Sequence, residues 1–303
     1  MSPDGRNNGK FGYVHEIDAL FCSDKKGLPY FAVTATSLAI HKPPEMRRLF
    51  LLSTDITPAQ VATFFSELKH LYGLACELIK IPAESLRGFP IRKHITLGTY
   101  FRLFAGAALP ADVSMIIYLD IDVVVDKSLQ RALPQACDDL RRSKHVLAAT
   151  REQAKPHHLL DRGLVKGDYF QAGVMLINLD KWRATASVQS LVSIVRSHGD
   201  VLKWWDQDVL NIAFHNRWLE LPSTWNGTPG RRSSETRIFH WAGPEKPWKY
   251  ERRVPDRRVW EKYRKLTPIL GPPPVPLRRV FLRYFAAMTR KIRKRSGKAR
   301  RNR

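Results

Sequence analysis

Short apolar segments alternate with longer segments of helical pattern along the first 120 residues, and this alternation restricts the fold more than any other feature. The alternation predicts strands at residues 17–22, 48–52, 76–81 and 114–119, with helices between them at 30–40, 57–72 and 96–107. Strands joined by helices of this length form βαβ units, whose parallel sheet is covered by helices on both faces. We therefore predict an α/β fold with a Rossmann-like, mostly parallel sheet flanked by helices.

The second half of the chain has a looser pattern. The pattern predicts strands at 146–149, 173–178 and 238–241, helices at 187–197 and 207–215, and a loop over 222–236. The Gly- and Asn-rich residues 1–12 are predicted to be disordered, and one folded domain is predicted over 13–270. A stiff proline-rich linker follows, so residues 271–303 are predicted to lie outside that domain.

Cysteine usage and hydropathy suggest a cytoplasmic protein. Cys22, Cys76 and Cys137 are far apart and show no metal-binding or redox spacing, so we expect them to be reduced. The first 15 residues contain no apolar stretch typical of a signal peptide, and no run of 18 apolar residues occurs in the sequence.

Two aspartates, Asp120 and Asp122, end the most apolar of the predicted strands, in the sequence YLDIDVVV. Open α/β sheets place ligands at the carboxyl ends of parallel strands, and alternate residues of an extended segment point to one side. Two carboxylates in this arrangement suit Mg²⁺ or Mn²⁺, which in turn hold phosphate oxygens. The pattern alone also fits two solvated acids in a turn, or a phosphohydrolase with Asp120 as nucleophile.

Three further motifs follow this strand: DYFQAGVMLINLDKWR at 168–183, DQDVLN at 206–211 and HWAGPEKPW at 240–248. In their order and spacing they resemble glycosyltransferase family 8, and the resemblance extends from about residue 16 to residue 248. That family contains retaining sugar transferases, including the galactosyl- and glucosyltransferases that extend the bacterial lipopolysaccharide core. The resemblance implies a GT-A fold and transfer of galactose or glucose from a UDP-sugar to a hydroxyl of a glycolipid or oligosaccharide.

The same resemblance implies a metal site and a loop that closes over the diphosphate of the donor. Asp120, Asp122 and His240 match the family's ligands for Mn²⁺, and Mg²⁺ is compatible with the same oxygen ligands. Gly243 and Lys246 match groups that contact the diphosphate, since glycine lets a backbone N–H approach phosphate and lysine supplies positive charge. Lys246 is thereby also implied as catalytic. A buried structural histidine is the alternative role for His240.

The resemblance also implies residues that bind the rest of the donor. Asp24 matches an acidic residue that recognises uracil, and Arg102 matches an arginine near the sugar and phosphate. Asp206 and Gln207 match a catalytic pair that holds the sugar near its anomeric carbon. Gln171 stands at a donor-binding position where the family usually has asparagine, and it is one methylene longer. A helix-surface position is the alternative for Arg102, and helix capping is the alternative for Asp206 and Gln207.

Histidines and tryptophans near these motifs carry no role that can be transferred from the family. The adjacent His157 and His158 are predicted to lie in a surface loop. Most of the four tryptophans in this part of the chain are predicted to pack in the core. These are Trp204, Trp205, Trp218 and Trp225.

The C-terminal segment 277–303 contains 12 basic residues and no acidic one, whereas residues 1–276 carry an excess of 11 positive charges. Apolar and aromatic side chains recur there at helical spacing from Leu277 to Ile292, with basic residues on the opposite face. This pattern predicts an amphipathic helix that binds an anionic membrane surface, on the inner face of the cell membrane. A packed terminal helix is one alternative, and a non-enzymatic basic protein that binds membrane or nucleic acid is another. Because no nucleic-acid-binding module accompanies the tail, we predict no nucleic acid partner.

Overall fold

The apolar strand that precedes the two aspartates lies in the middle of a seven-stranded sheet. The computed structural model describes residues 16–90, 97–231, 233–249, 254–267 and 270. Within these residues the strands are β1 Asp18–Cys22, β2 Arg48–Ser53, β3 Ala75–Lys80, β4 Met115–Leu119, β5 Val123–Val125, β6 Leu147–Arg151, β7 Phe170–Asn178, β8 Trp218–Glu220 and β9 Ile238–His240.

Helices connect most of these strands and cover both faces of the sheet. The α-helices in the described ranges are α1 Leu28–His41, α2 Pro58–Tyr72, α3 Ala105–Ala108, α4 Ala132–Arg142, α5 His157–Leu160, α6 Leu179–Thr185, α7 Val188–His198, α8 Trp205–Ala213 and α9 Arg257–Lys265. Short 3₁₀ helices span Ala83–Leu86, Leu97–Phe104 and Ser223–Trp225.

The strand order of the large sheet is β3-β2-β1-β4-β7-β6-β8. Adjacent strands are parallel except for the two pairs that contain β7, which is antiparallel to both β4 and β6. The short strands β5 and β9 form a separate antiparallel pair. The predicted mostly parallel sheet flanked by helices is therefore confirmed.

The central strand β4 is buried on both faces, as its continuous apolar sequence predicts. Ile116 and Tyr118 belong to the core on one side of the sheet, and Met115, Ile117 and Leu119 belong to the core on the other side. Because alternate residues of a strand point to opposite faces, one five-residue strand supports both cores. This burial fixes the point at which β4 ends and the aspartates begin.

Helix α2 shows how closely local signals set the bounds of an element. Thr57 precedes it and forms a capping box with Gln60, and Pro58 occupies the first turn. Gly73 ends the helix in the left-handed conformation, with φ of 62°. The observed bounds agree with the predicted helix over 57–72.

The helix predicted over 96–107 is present in the described residues, but most of it is not an α-helix. Its described part forms the 3₁₀ helix Leu97–Phe104 followed by the single turn α3. Five consecutive residues, from Tyr100 to Phe104, are buried, because this segment packs against β1, β2, α7 and α8. A segment enclosed on several sides has no solvent face, so apolar periodicity does not specify an α-helix there.

Some predictions concern residues outside the described ranges. These are the disorder of residues 1–12, the proline-rich linker and the amphipathic tail over 277–303. Among the helices that are described, none is both long enough and apolar enough to span a bilayer.

Candidate active site

The segment that carries Asp120 and Asp122 is a turn between β4 and β5, so the two residues do not share one extended strand. The Asp120 N–H donates to the Gly173 carbonyl of β7, at 2.8 Å. On the other side, the Thr34 hydroxyl of α1 lies 3.0 Å from the Ile121 carbonyl oxygen and donates to that of Val123 at 2.8 Å. Hydrogen bonds from β7 and α1 to the backbone of this turn therefore position both aspartates.

The Asp120 carboxylate is held by two donors on one of its oxygens. The Arg102 guanidinium and the Tyr118 hydroxyl each donate to Oδ1, and both distances are 2.6 Å. The other oxygen, Oδ2, lies 3.8 Å from Nε2 of His240. The two donors therefore turn one free carboxylate oxygen towards the histidine.

The Asp122 carboxylate lies between His240 and Lys246. Its Oδ1 is 3.2 Å from His240 Nε2, and its Oδ2 accepts a hydrogen bond from the Lys246 ammonium. Burial acts to raise the pKa of Asp122, but the His240 ring and the Lys246 charge together hold that pKa well below its usual range. The carboxylate is therefore ionised, and its Oδ1 is buried with no hydrogen-bond donor.

Asp120, Asp122 and His240 together offer a set of ligands for a divalent cation. One ligand atom from each lies within 4.8 Å of the other two. Two carboxylate oxygens and one imidazole nitrogen suit Mn²⁺ and are compatible with Mg²⁺. The buried Asp122 Oδ1 fits this use, because an ionised oxygen without a donor requires a positive partner.

The Arg102 side chain is buried and connects three separate parts of the site, so its alternative placement on a helix surface is wrong. Its guanidinium donates to the Ala172 carbonyl of β7 at 2.8 Å and to Asp120. Its Nε lies 3.0 Å from Oδ2 of Asp206 at the start of α8. Arg102 thus places the residues of the YLDID and DQDVLN motifs beside each other.

Asp206 and Gln207 both face the cavity from the first turn of α8. Burial raises the pKa of Asp206 to about 7 against the attraction of Arg102, and the nearby charge of Asp120 adds to the rise. The Gln207 Oε1 accepts the Ala172 N–H at 2.8 Å, which fixes the side-chain amide against β7.

The N-cap residue of α8 is Trp204, and no side-chain hydrogen bond caps the helix, so the alternative capping role for Asp206 and Gln207 is wrong. Oδ2 of Asp208 accepts the backbone N–H groups of Lys203 and Trp204, at 2.7 and 2.9 Å. These two residues precede the first residue of α8, so Asp208 fixes the backbone that leads into the helix.

The contact between His158 and Asp208 contradicts the prediction that both His157 and His158 lie on the surface. His158 Nε2 is 2.9 Å from Asp208 Oδ2, and the Tyr169 hydroxyl donates to Oδ1 of the same carboxylate at 2.5 Å. The His158 side chain is only 6% exposed, whereas His157 is exposed. A contact across 50 positions of sequence buries His158, and local composition carries no signal for it.

The loop after β9 contains Gly243 and Lys246 and lies over the aspartates. Besides Asp122, the Lys246 ammonium donates to the Trp241 carbonyl at 2.7 Å. A Cβ added at Gly243 would meet no atom within 4 Å, so packing alone does not require glycine there. The space beside Gly243 belongs to the cavity.

All but one of the predicted site residues line a single cavity of about 590 Å³. These are Arg102, Asp120, Asp122, Gln171, Asp206, Gln207, His240, Gly243 and Lys246. The remaining residue, Asp24, lines an adjoining cavity of about 230 Å³ that also contacts Arg102, Asp120, Asp122 and Lys246. One Asp24 oxygen accepts the Gly27 N–H at 2.8 Å.

Trp204 lies at the wall of the larger cavity and is 37% exposed, unlike the buried Trp218 and Trp225. The prediction of core packing therefore holds for the latter two, while the indole of Trp204 is partly exposed at the cavity wall.

Several residues that shape the site were not predicted from the sequence. Thr34 and Ser37 interrupt the apolar face of α1 at a spacing of three, and this was a usable signal for a polar contact. Asn211 bonds both the N–H and the carbonyl of Phe170, which joins α8 to the start of β7. Asn226 binds His240 from a Ser-, Thr- and Gly-rich segment in which nothing distinguishes it.

Known proteins resemble this chain over most of its length. The family model described as glycosyl transferase family 8 matches residues 18–252. General stress protein A of Bacillus subtilis is 26% identical over 269 residues, which cover 81% of this chain and 92% of that protein. Lipopolysaccharide 1,3-galactosyltransferase of Salmonella typhimurium is 27% identical over 263 residues, which cover 78% and 76%.

A solved structure shows the same similarity in three dimensions. The galactosyltransferase LgtC, in complex with donor and acceptor sugar analogs, matches with a TM-score of 0.69 and 29% identity. The match covers 87% of this chain and 99% of that one.

Proposed function

Because the chain belongs to glycosyltransferase family 8, we propose that it moves galactose or glucose from a UDP-sugar to a hydroxyl of a membrane-associated glycan. Family membership and the likeness to LgtC show a glycosyltransferase of the retaining type with a GT-A fold. Relatives named lipopolysaccharide galactosyltransferase and glucosyltransferase favour these two hexoses and a lipopolysaccharide core as acceptor.

The observation that carries the proposal is the convergence of Asp120, Asp122 and His240 in the cavity that also holds Lys246. Their ligand atoms would hold Mn²⁺, with Mg²⁺ as the alternative ion. When bound, such an ion supplies positive charge against the diphosphate of the donor. The orphaned Oδ1 of Asp122 supports this assignment, since it is ionised and has no donor.

Lys246 and Gly243 bind the same diphosphate from the loop after β9. The Lys246 ammonium already donates a hydrogen bond to Asp122, so only a short movement would bring the ammonium to a phosphate bound beside the two carboxylates. Its charge stabilises the diphosphate most strongly as that group leaves, which makes Lys246 catalytic. The open space at Gly243 lets the backbone approach the phosphates.

Asp206, Gln207 and Arg102 form the wall beside the sugar. Arg102 holds Asp206 in place, and Asp206 accepts sugar hydroxyls. An amide is a weak nucleophile, so we assign Gln207 to stabilising the positive charge that develops on the sugar ring. Retention then follows when the acceptor hydroxyl attacks the anomeric carbon on the face from which the diphosphate departs. The bond from that carbon to the diphosphate breaks, and the leaving phosphate takes the hydroxyl proton.

Asp24 binds the uracil ring in the smaller cavity. The acceptor approaches the larger cavity past Trp204, whose exposed indole can stack on a sugar ring. The basic tail 277–303 brings the enzyme to the inner face of an anionic membrane, where a glycolipid acceptor is found.

A panel of UDP-sugars tests the reaction class. The purified protein should release UDP from UDP-galactose or UDP-glucose in Mn²⁺, and the first free sugar observed by NMR should be the α anomer. Phosphate release from a phosphomonoester, with no UDP release from any UDP-sugar, would instead support the phosphohydrolase alternative and end this proposal.

A further inference from the structure

A chain of hydrogen bonds reaches His240 from a backbone N–H group whose role is unambiguous. The Gly173 N–H donates to Gln171 Oε1 at 2.7 Å. Since a backbone N–H can only donate, the atom that receives it must be the amide oxygen of Gln171. This contact fixes the orientation of the Gln171 amide.

The orientation of Asn226 follows from that of Gln171. Asn226 Nδ2 donates to the same Gln171 Oε1 at 2.7 Å. The other amide atom, Oδ1, therefore faces Nδ1 of His240 at 2.9 Å. A carboxamide oxygen only accepts, so the His240 Nδ1 must carry the proton.

The consequence for His240 concerns its second nitrogen. In the neutral ring, a proton on Nδ1 leaves the metal-binding lone pair on Nε2, the nitrogen that lies 3.2 Å from Asp122 Oδ1 and 3.8 Å from Asp120 Oδ2. We infer that Asn226 is a positioning residue that selects the metal-binding tautomer of His240, and that Gln171 holds Asn226 in the required orientation. This inference rests on the metal site proposed above.

The backbone around this network limits other arrangements. The Asn226 N–H donates to the Ser223 carbonyl at 3.1 Å, and the His240 N–H donates to the Gly227 carbonyl at 3.1 Å. A Cβ added at Gly173 would lie 2.2 Å from Cε1 of His240, so the ring lies directly against that glycine. The imidazole is thus confined on one face while Asn226 holds its Nδ1.

The network also explains the use of glutamine at position 171. Its Oε1 accepts two hydrogen bonds, which occupy both lone pairs of the oxygen. That oxygen is therefore unavailable to the donor sugar. The extra methylene of Gln171 serves the metal site through Asn226, while Asp206 and Gln207 remain for the sugar.

The test is a double-mutant cycle of Asn226→Ala and His240→Ala in the purified full-length protein. The quantity measured is the Mn²⁺ affinity, obtained from the EPR signal of free Mn²⁺. Asn226→Ala should weaken Mn²⁺ binding by roughly tenfold or more, the usual range for a partner that orients a metal-bound histidine. In a His240→Ala background, the same change should have an effect of less than about twofold. Thr228→Ala, in the same loop but outside the network, should leave the affinity unchanged.

The outcomes separate this inference from the metal site itself. If His240→Ala leaves Mn²⁺ affinity unchanged, the proposed metal site fails and the inference fails with it. If His240→Ala weakens binding but Asn226→Ala does not, only the inference is overturned. An equal loss from Asn226→Ala in both backgrounds would show a general structural role and would also overturn it.

A second variant covers the case in which Asn226→Ala does not fold. Gln171→Met keeps the side-chain volume but removes the acceptor that orients Asn226. It should weaken Mn²⁺ binding in the native background and have no effect in the His240→Ala background. Unchanged affinity in both backgrounds would contradict the role of Gln171.

Discussion

The indole of Trp248 lies parallel to the phenol ring of Tyr30, with 3.8 Å between the ring centroids and 10° between the planes. Trp248 lies two residues after Lys246 in the same loop, whereas Tyr30 belongs to α1, which follows the connection that contains Asp24. The stack therefore attaches the loop over the diphosphate position to the first βα unit of the sheet. We expect this attachment to hold the loop near its binding position before the donor arrives.

The Tyr30–Trp248 stack predicts a specific pattern of donor affinities. Tyr30→Ala should raise the KM for the UDP-sugar by roughly two- to tenfold, because an aromatic pair contributes about 0.5–1.5 kcal/mol. Tyr30→Phe retains the ring and should remain within about twofold of the native KM. Steady-state UDP release measures both. A native KM in Tyr30→Ala, accompanied only by a lower melting temperature, would show that the stack supports the fold and not the donor site.

Gly173 should tolerate no side chain, since a Cβ there would lie 2.2 Å from His240 Cε1 and 2.8 Å from Asp120 Oδ2. Gly173→Ala should displace one or both ligands and lower Mn²⁺ affinity by roughly tenfold or more. Gly243→Ala is the matched control, because its Cβ meets no atom within 4 Å. It should retain the native Mn²⁺ affinity and melting temperature. Native Mn²⁺ binding by Gly173→Ala would show that the ligands do not need the close approach seen here.

The raised pKa of Asp206 predicts that the stability of the metal-free protein depends on pH. Burial raises the pKa of Asp206 to about 7, from 3.8 when the chain is unfolded. A raised acid pKa means that the folded state retains a proton, so this group stabilises the fold at low pH. That contribution disappears as pH rises through about 7.

Melting temperatures in EDTA measure this effect when Asp206→Asn is compared with the native chain. Between pH 5 and pH 8 the native melting temperature should fall by several degrees more than that of the variant, which has no proton to lose there. Parallel curves for the two proteins would place the pKa of Asp206 at its ordinary value, with Arg102 as the dominant neighbour.

The strands and helices that position this site are predictable because the sequence signals that specify them are local. The apolar strand before Asp120 is buried on both faces, and the capping box at Thr57 sets the start of α2. Helical connections between strands make neighbouring strands parallel, so the carboxyl ends of β1 and β4 bring Asp24 and Asp120 to one edge.

Contacts between distant segments determine the remaining parts of the site. Only tertiary packing makes Arg102 a bridge between β4, β7 and α8, and only the turn after β4 allows Val123 to pair with His240. Asp208 binds the backbone just before α8, and His158 and Tyr169 contact its carboxylate from another segment. No hydrophobic periodicity and no motif spacing in the sequence predicts such long-range contacts.

The C-terminal tail predicts binding to anionic membranes. The full chain should sediment with vesicles that contain anionic lipid, and truncation after residue 271 should abolish this binding, since it removes the predicted apolar face and all 12 basic residues of the tail. UDP release into water should persist in the truncated protein, because every proposed donor-site residue precedes position 249. Equal vesicle binding by both proteins, with a lower melting temperature after truncation, would indicate a tail that packs on the catalytic domain.

The most direct test of the central claim is UDP release by the native protein, Asp120→Asn and Asp122→Asn, each first in EDTA and then with added Mn²⁺. Each substitution removes one anionic metal ligand and keeps nearly the same volume. We predict that the native protein is inactive in EDTA and recovers with Mn²⁺, whereas both variants fold but release almost no UDP under either condition. Full activity of the native protein in EDTA, or native activity in either variant, would contradict a metal-dependent transfer centred on these two carboxylates.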